Sequence, residues 1–269
     1  LDQNRFKPDS AELLTKEAPG LTGTSFHNLR SLLSRNSFDG GYKITRVADK
    51  GGKKIPHAII GTMMRIDLPQ ALGPGKQVEL HIDWNHNIID ADLNRARGGH
   101  EFFEKDQNYI YEIAQWFPRM CAYTDYTGWQ NKQFLGRGEF TLEFGDYRVE
   151  ITAPADHIVA ATGELQNSDE VLTEKQRQRL EQAKKSGKMA FIVTPEEAKA
   201  AQEAKEKPKK QRTWIFSAKN VRDFAWASSR KFIWDAKYHE FAPGKHAWAM
   251  SFYPNEAEPM WSKYSTAAV

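Results

Sequence analysis

Alternation of apolar and polar positions dominates the chain. In QVELHIDW, Val78, Leu80, Ile82 and Trp84 fall on one face, the period-2 pattern of a half-buried strand. The segment before it, IIGTMMRIDLP, ends in the same way with Met64, Ile66 and Leu68. In EFTLEFGDYRVEIT, Phe140, Leu142 and Phe144 alternate, Gly145-Asp146 supplies a turn, and Tyr147, Val149 and Ile151 alternate back. That pattern predicts a hairpin. Further on, TWIF, VRDFAW, SRKFIWD and HAWAMSFYP are short and aromatic-rich, divided by Asn, Ser, Gly and Pro. Trp248, Met250 and Phe252 share a face in the last. Many short strands with turn signals between them predict a mainly β fold, an antiparallel saddle-shaped sheet or sandwich.

The period changes in a few places. Thr173-Glu-Lys-Gln176 is a capping box opening a polar helix that Gly187 can stop. Thr194-Pro195-Glu196-Glu197 is a second, with Pro at the first helical position. MAFIV between them is short enough for a strand. Residues 167–212 thus read as an inserted helical hairpin between two strands, ATGELQ and TWIF. Near the start, SFHNLRSLLSR has the apolar spacing of one short helix, and GGYKITRV with the Gly51-Gly52 turn leads back into strands.

Composition narrows the class. The 269 residues are 40% hydrophobic, enough for a sizeable core in one large or two modest domains. No run of about 18 apolar residues occurs, so no transmembrane helix is expected. The opening LDQNRFKPDS has no Met, basic n-region or apolar h-region, so no signal peptide is visible, and it does not read as a natural start. The true N-terminus being hidden, cytoplasmic and exported locations both stay open. A formal charge of +3 argues against a nucleic-acid footprint. From Asp169 to Arg212 there are 12 Lys and Arg and 8 Asp and Glu, so that segment carries +4 and the remainder −1. The insertion holds the basicity, read as a solvated helical surface, with docking through Lys207, Lys209 and Lys210 as the sharper alternative. Cys121 stands alone, which excludes an internal disulfide and a multi-Cys zinc site and reads as a small apolar residue.

Motifs for chemistry are incomplete. His100-Glu101 and His239-Glu240 each lack the second His that HExxH needs at i+4. His81 and His86 flank a strand end and can approach each other as a ligand pair or stand apart on the surface. Gly136-Arg137-Gly138 is too short for a phosphate loop and fits a bend before a strand. Asp90 and Asp92 suit calcium or a solvated turn. In VRDFAWASSRKFIW the aromatics are expected to face a core and to leave Arg222, Arg230 and Lys231 as surface charges. The residues alone therefore describe an aromatic-rich β protein without a catalytic constellation.

A resemblance adds to this. The run AQWFPRMCAYTDYTGWQNKQFLGRGEFTLEFGDYRVEITAPADHIVAATGELQN resembles the N-terminal domain of bacterial zinc aminopeptidases of the aminopeptidase N and leukotriene-hydrolase family. The matching features are QWFPRM, the aromatic loop, the GEF strand, the hairpin and PADHIVAATGEL. NVRDFAWASSRKFIWD and LDQNRFKPDS are also similar to that domain. The likeness covers most of the chain outside the insertion. It implies a β-saddle domain preceding a thermolysin-like zinc domain, with LDQNRF ending a strand whose sheet neighbours lie upstream. Their absence would leave an unpaired sheet edge.

By that resemblance, the loop at AQWFPR lies at the seam with the catalytic domain and lines the first substrate pocket. Gln115 matches the residue that holds the free amino group of the peptide, since its amide oxygen can accept from an ammonium. A strand-end amide capping backbone groups is the other reading of Gln115. Phe117 stands where many relatives have a second polar residue, and would shape an apolar wall. The aromatics of TDYTGWQNKQF are expected to pack the loop or the interdomain seam. Residues 1–261 are then one β domain, and Ser262–Val269 begins the catalytic domain as a helix capped by Ser262 or Ser265.

The implied parent is a zinc aminopeptidase releasing N-terminal residues from peptides. Its zinc and HExxH would reside in the catalytic domain, the partner of this segment. The segment itself is expected to hold no catalytic residue, cofactor or metal ligand. A stand-alone β-sandwich module binding peptide or carbohydrate through exposed aromatics is the alternative.

Overall fold

The structure is a computed structural model. It describes residues 1–10, 25–94, 96, 98–134 and 141–268. In chain order the strands of the first part are β1 (Lys43–Asp49), β2 (His57–Ile60), β3 (Met63–Ile66), β4 (Leu80–Asn85), β5 (Gly99–Phe103), β6 (Asn108–Ile113), β7 (Tyr123–Thr124) and β8 (Gly128–Trp129). There follow β9 (Gly145–Pro154), β10 (Ile158–Ala161), β11 (Glu164–Leu165), β12 (Ala190–Val193), β13 (Gln211–Val221), β14 (Trp226–Ser229), β15 (Ile233–Ala242) and β16 (Lys245–Tyr253). The helices are α1 (Phe26–Ser37), α2 (Ala91–Asn94), α3 (Ser168–Val171), α4 (Glu174–Ser186), α5 (Pro195–Glu203) and α6 (Tyr264–Ala267). The fold is mainly β, with antiparallel sheets and few helices.

The chain divides into two compact units, Leu1–Gly99 with Ala114–Glu143, and His100–Ile113 with Phe144–Val269. In the first, β1 pairs with β4, β2 with β3, and β7 with β8. Leu80, Ile82 and Trp84 alternate inward along β4 as their pattern predicts. Val78 lies outside the strand and is exposed. The β2–β3 hairpin turns at Gly61, in the left-handed region at φ 54°, where a side chain is strained. Tyr42, Val47, Ala48, Ile55, Ile89 and Ala122 are among its most deeply buried apolar residues. The segment LDQNRF is a 3-10 helix over Asp2–Phe6, not a strand.

In the second unit three sheets run β10-β14-β6-β5, β11-β13-β9 and β12-β15-β16. Trp214, Phe216, Phe224, Ile233, Trp234 and Tyr253 are buried to 5% exposure or less. Burying such side chains contributes about 1.5–3 kcal/mol each. The expected Gly145-Asp146 hairpin is not formed. Gly145 opens β9, which pairs along its length with β13, Trp214 opposite Ile151 and Phe216 opposite Val149. Leu142 and Phe144 lie outside any strand, and Phe140 falls outside the described residues. The alternation of Tyr147, Val149 and Ile151 is present, but its partner is the strand that carries the buried aromatics.

The insertion is helix, strand, helix. Both capping boxes close, Thr173 with Gln176 and Thr194 with Glu197, and Gly187 ends α4 in the left-handed conformation at φ 61°. Between them β12 joins β15 as an edge strand. Arg179 holds the pieces together, donating to the Ile192 carbonyl at 2.8 Å and to Glu197 at 2.5 and 3.1 Å. The strands flanking the insertion pair with each other, Leu165 opposite Phe216. Among the described residues no helix is long and apolar enough to cross a membrane.

Candidate functional site

The loop after β6 carries the strongest local signal in the first unit. Gln115 has φ 54°, one of three described non-glycine residues with positive φ. That conformation is uncommon outside glycine and persists only where neighbours enforce it. Here two donors clamp its carbonyl, the Tyr42 hydroxyl at 2.6 Å and Gln3 Nε2 at 3.1 Å. Gln3 also reaches the Ala114 carbonyl at 3.3 Å. The next carbonyl, Trp116, accepts from Trp84 Nε1 at 3.0 Å. Trp116 lies 6.3 Å from Trp84 and 5.1 Å, edge-on, from Phe117. Arg119 closes the loop on Asp2 at 2.5 Å, an ion pair with 7% and 10% of the two side chains exposed.

These bonds use the loop's backbone. The Gln115 side-chain amide, half-buried, makes no hydrogen bond among the described residues, and its oxygen is left to accept one. The reading of Gln115 as a cap on backbone groups is therefore not what the geometry shows. Phe117, two residues on, is half-buried and in ring contact with Trp116. The 3-10 turn Asp2–Phe6 is the strut of the loop, a role that LDQNRF does not announce by any local pattern.

The aromatics that follow are presented rather than packed. Tyr123 and Trp129 face each other across β7 and β8 at 5.2 Å, and with Tyr126 they are 59%, 54% and 84% exposed. A polar cluster of Thr124, Thr127 and Gln130 braces this hairpin.

The other candidates resolve into ordinary roles. His81 bonds Glu79 at 3.0 Å, whereas His86 packs edge-on against Tyr42 at 5.4 Å, and burial lowers its pKa. Asp90 accepts from the Leu93 amide at 2.8 Å and so opens α2. Burial pushes the Cys121 thiol up, which disfavours the reactive thiolate. Lys207 donates to the Gln107 carbonyl at 2.6 Å, while Lys209 and Lys210 are exposed. Gly136, Arg137 and Gly138 fall outside the described residues. Among the described residues no three His, Cys, Asp or Glu side chains converge as metal ligands.

Two expected surface charges are buried instead. Arg230 is 5% exposed and pairs with Asp156 at 2.5 Å. Lys231 has no exposure; it contacts Asp106, reaches Glu256 at 2.8 Å and lies 3.8 Å above the Phe103 ring. The reason is a turn: residues 230 and 231 connect β14 to β15 and point into the unit, with Arg222 remaining exposed as expected. Nearby, His157 Nδ1 and Ser228 Oγ lie 2.8 Å apart; burial lowers the His157 pKa, and Ser228 is 2% exposed, closed to a substrate. A second polar core joins Asp235, Tyr253 and Glu258. At the C-terminal end α6 forms, but neither serine caps it: Ser262 donates to the Pro259 carbonyl and Ser265 pairs with Ser251. Comparisons with protein-family models, with curated proteins and with solved structures return no match.

Proposed function

We propose that this chain is a non-catalytic N-terminal β domain of a zinc aminopeptidase, and that the Ala114–Arg119 loop forms one wall of its substrate cleft. The carrying observation is Gln115. Its backbone is locked in the left-handed region by Tyr42 and Gln3 while its side-chain oxygen is left to accept. A peptide's free ammonium is a donor that such an oxygen suits, and a fixed backbone lowers the entropy cost of the contact. Phe117, two residues on from Gln115, supplies an apolar surface of the same loop. In this reading hydrolysis belongs to the partner catalytic domain, and no step of it is assigned to this chain.

The test uses the full-length protein with zinc and an aminoacyl anilide. Gln115→Ala is expected to raise KM by about tenfold or more, as loss of a hydrogen bond to a charged group does. Gln115→Glu should keep or tighten binding, and N-acetylated substrate should be refused by all three. A full-length protein without aminopeptidase activity sinks the reading. The exposed Tyr123, Tyr126 and Trp129 favour the second reading, a binding module for peptide or carbohydrate. Binding to immobilised glycans or peptides by this chain alone, lost in Trp129→Ala, would select it.

A further inference from the structure

The second unit buries a carboxyl group without a cation. Asp235 sits on the central strand β15 with no exposure, opposite Phe191 of β12 and Ser251 of β16. Its Oδ2 meets the Tyr253 hydroxyl at 2.9 Å, and its Oδ1 has no hydrogen-bond partner among the described residues. The same Tyr253 oxygen lies 3.2 Å from Glu258 Oε1. From α6, the Ser265 hydroxyl also acts on the carboxyl, although its own hydrogen bond is with Ser251 at 2.7 Å. Among the described residues the other charged group acting on Asp235 is Glu258, of like sign. The buried lysine of this unit, Lys231, is already engaged by Asp106 and Glu256.

Proton counting decides the arrangement. A tyrosine hydroxyl has one proton and can donate to one of its two carboxyl neighbours. Both contacts are hydrogen bonds only if one carboxyl is protonated. Glu258 is half-buried and reaches water, whereas Asp235 is sealed. An unpaired charge in that position would carry a large desolvation cost. The proton therefore belongs on Asp235, which donates to Tyr253, which donates to the Glu258 carboxylate.

We propose that this Asp235–Tyr253–Glu258 relay is a proton-dependent latch that holds the Glu258–Ala267 segment on the β15–β16 face. One side of the latch is in the sheet. The other is the turn bearing Glu258 and the helix bearing Ser265, 2% exposed, with Trp261 6.4 Å from the Tyr253 ring. Removing the proton leaves two carboxylates around one hydroxyl, and Glu258, the partner that reaches water, is the one that can leave. Burial raises the Asp235 pKa, as this arrangement requires. The latch does not depend on the proposed function, and its test uses no substrate.

Hydrogen exchange of the whole chain across pH, expressed as protection relative to an unstructured chain, tests it. Protection of the Glu258–Ala267 amides should fall about tenfold or more as pH rises from the acid side, where Asp235 is protonated, through its raised pKa to the alkaline side, with α4 and α5 unchanged. Asp235→Asn, which keeps a donor without the charge, should hold its protection across that range. The same pH response in Asp235→Asn would overturn the latch. Should that variant not fold, infrared spectra of the wild type with 13C-labelled aspartate decide the matter. A protonated aspartate carbonyl band that persists above the ordinary carboxylate range and disappears together with the protection is expected, and its absence overturns the proposal.

Discussion

Lys231 is a residue whose environment its sequence neighbours conceal. In SSRKFIW it follows an arginine and two serines, the composition of an exposed turn. It is nonetheless sealed between Asp106, Glu256 and the Phe103 ring, which supplies a cation–π contact. Breaking one side of a buried pair costs more than replacing both partners, because the remaining charge stays unpaired. Lys231→Met should therefore lower unfolding stability in urea by about 3–5 kcal/mol, and adding Asp106→Leu should recover much of that loss. A single-variant loss below about 1 kcal/mol would show that the ammonium is not held as described. Gln115 is the converse case. The resemblance carried by AQWFPR singles it out, but its positive φ and the Gln3–Tyr42 clamp depend on residues 112 and 73 positions away.

At the scale of elements, helix ends were legible because capping is local. Thr194 accepts from the Glu197 amide and Glu197 returns a bond to the Thr194 amide, all within four residues. Thr194→Ala should cost about 0.5–2 kcal/mol in chemical denaturation, with Thr194→Ser close to wild type. Equal losses for both variants would count against the cap. Strand existence was legible for the same reason, since alternation is a property of one strand. Strand partners were not. The Gly145-Asp146 signal proposes a neighbour two residues away, yet β9 takes β13 because the alternate face of β13 carries Trp214, Phe216 and Ala218 to be covered. Local turn chemistry loses where a longer ladder buries more apolar surface.

At the scale of the whole molecule, three of the groups that respond to pH, Glu197, His157 and Asp235, sit in the second unit. Arg179, with further help from the Thr194 amide and Lys175, holds the Glu197 carboxyl at about 2 against an ordinary 4.5. A folded pKa below the unfolded one stabilises at higher pH, so this contribution is full above about 4.5 and disappears as pH falls toward about 2. His157, lowered by burial, acts in the same sense from an ordinary 6.5, favouring the fold while neutral and losing that contribution on acidification. Asp235 acts oppositely, since its raised pKa favours the fold at low pH and the contribution is lost as pH rises. Denaturation midpoints for Glu197→Gln, taken through this acid range, should fall less steeply than those of the wild type. Parallel curves would mean that Glu197 does not carry the acid limb.

By itself the sequence determined a mainly β chain, the helices at SFHNLRSLLSR and in the insertion with their caps, and the strand faces of β4 and β9. All of these follow from periodicity and contacts within a few residues. Only the tertiary structure decided which strands pair, that the chain divides into two compact units, and that Asp2–Phe6 braces the Gln115 loop. It also decided that Arg230, Lys231 and Asp235 are interior while Tyr123, Tyr126 and Trp129 are outside. Those outcomes depend on partners distant in sequence, and no local pattern records which distant surface a charged or aromatic side chain will meet.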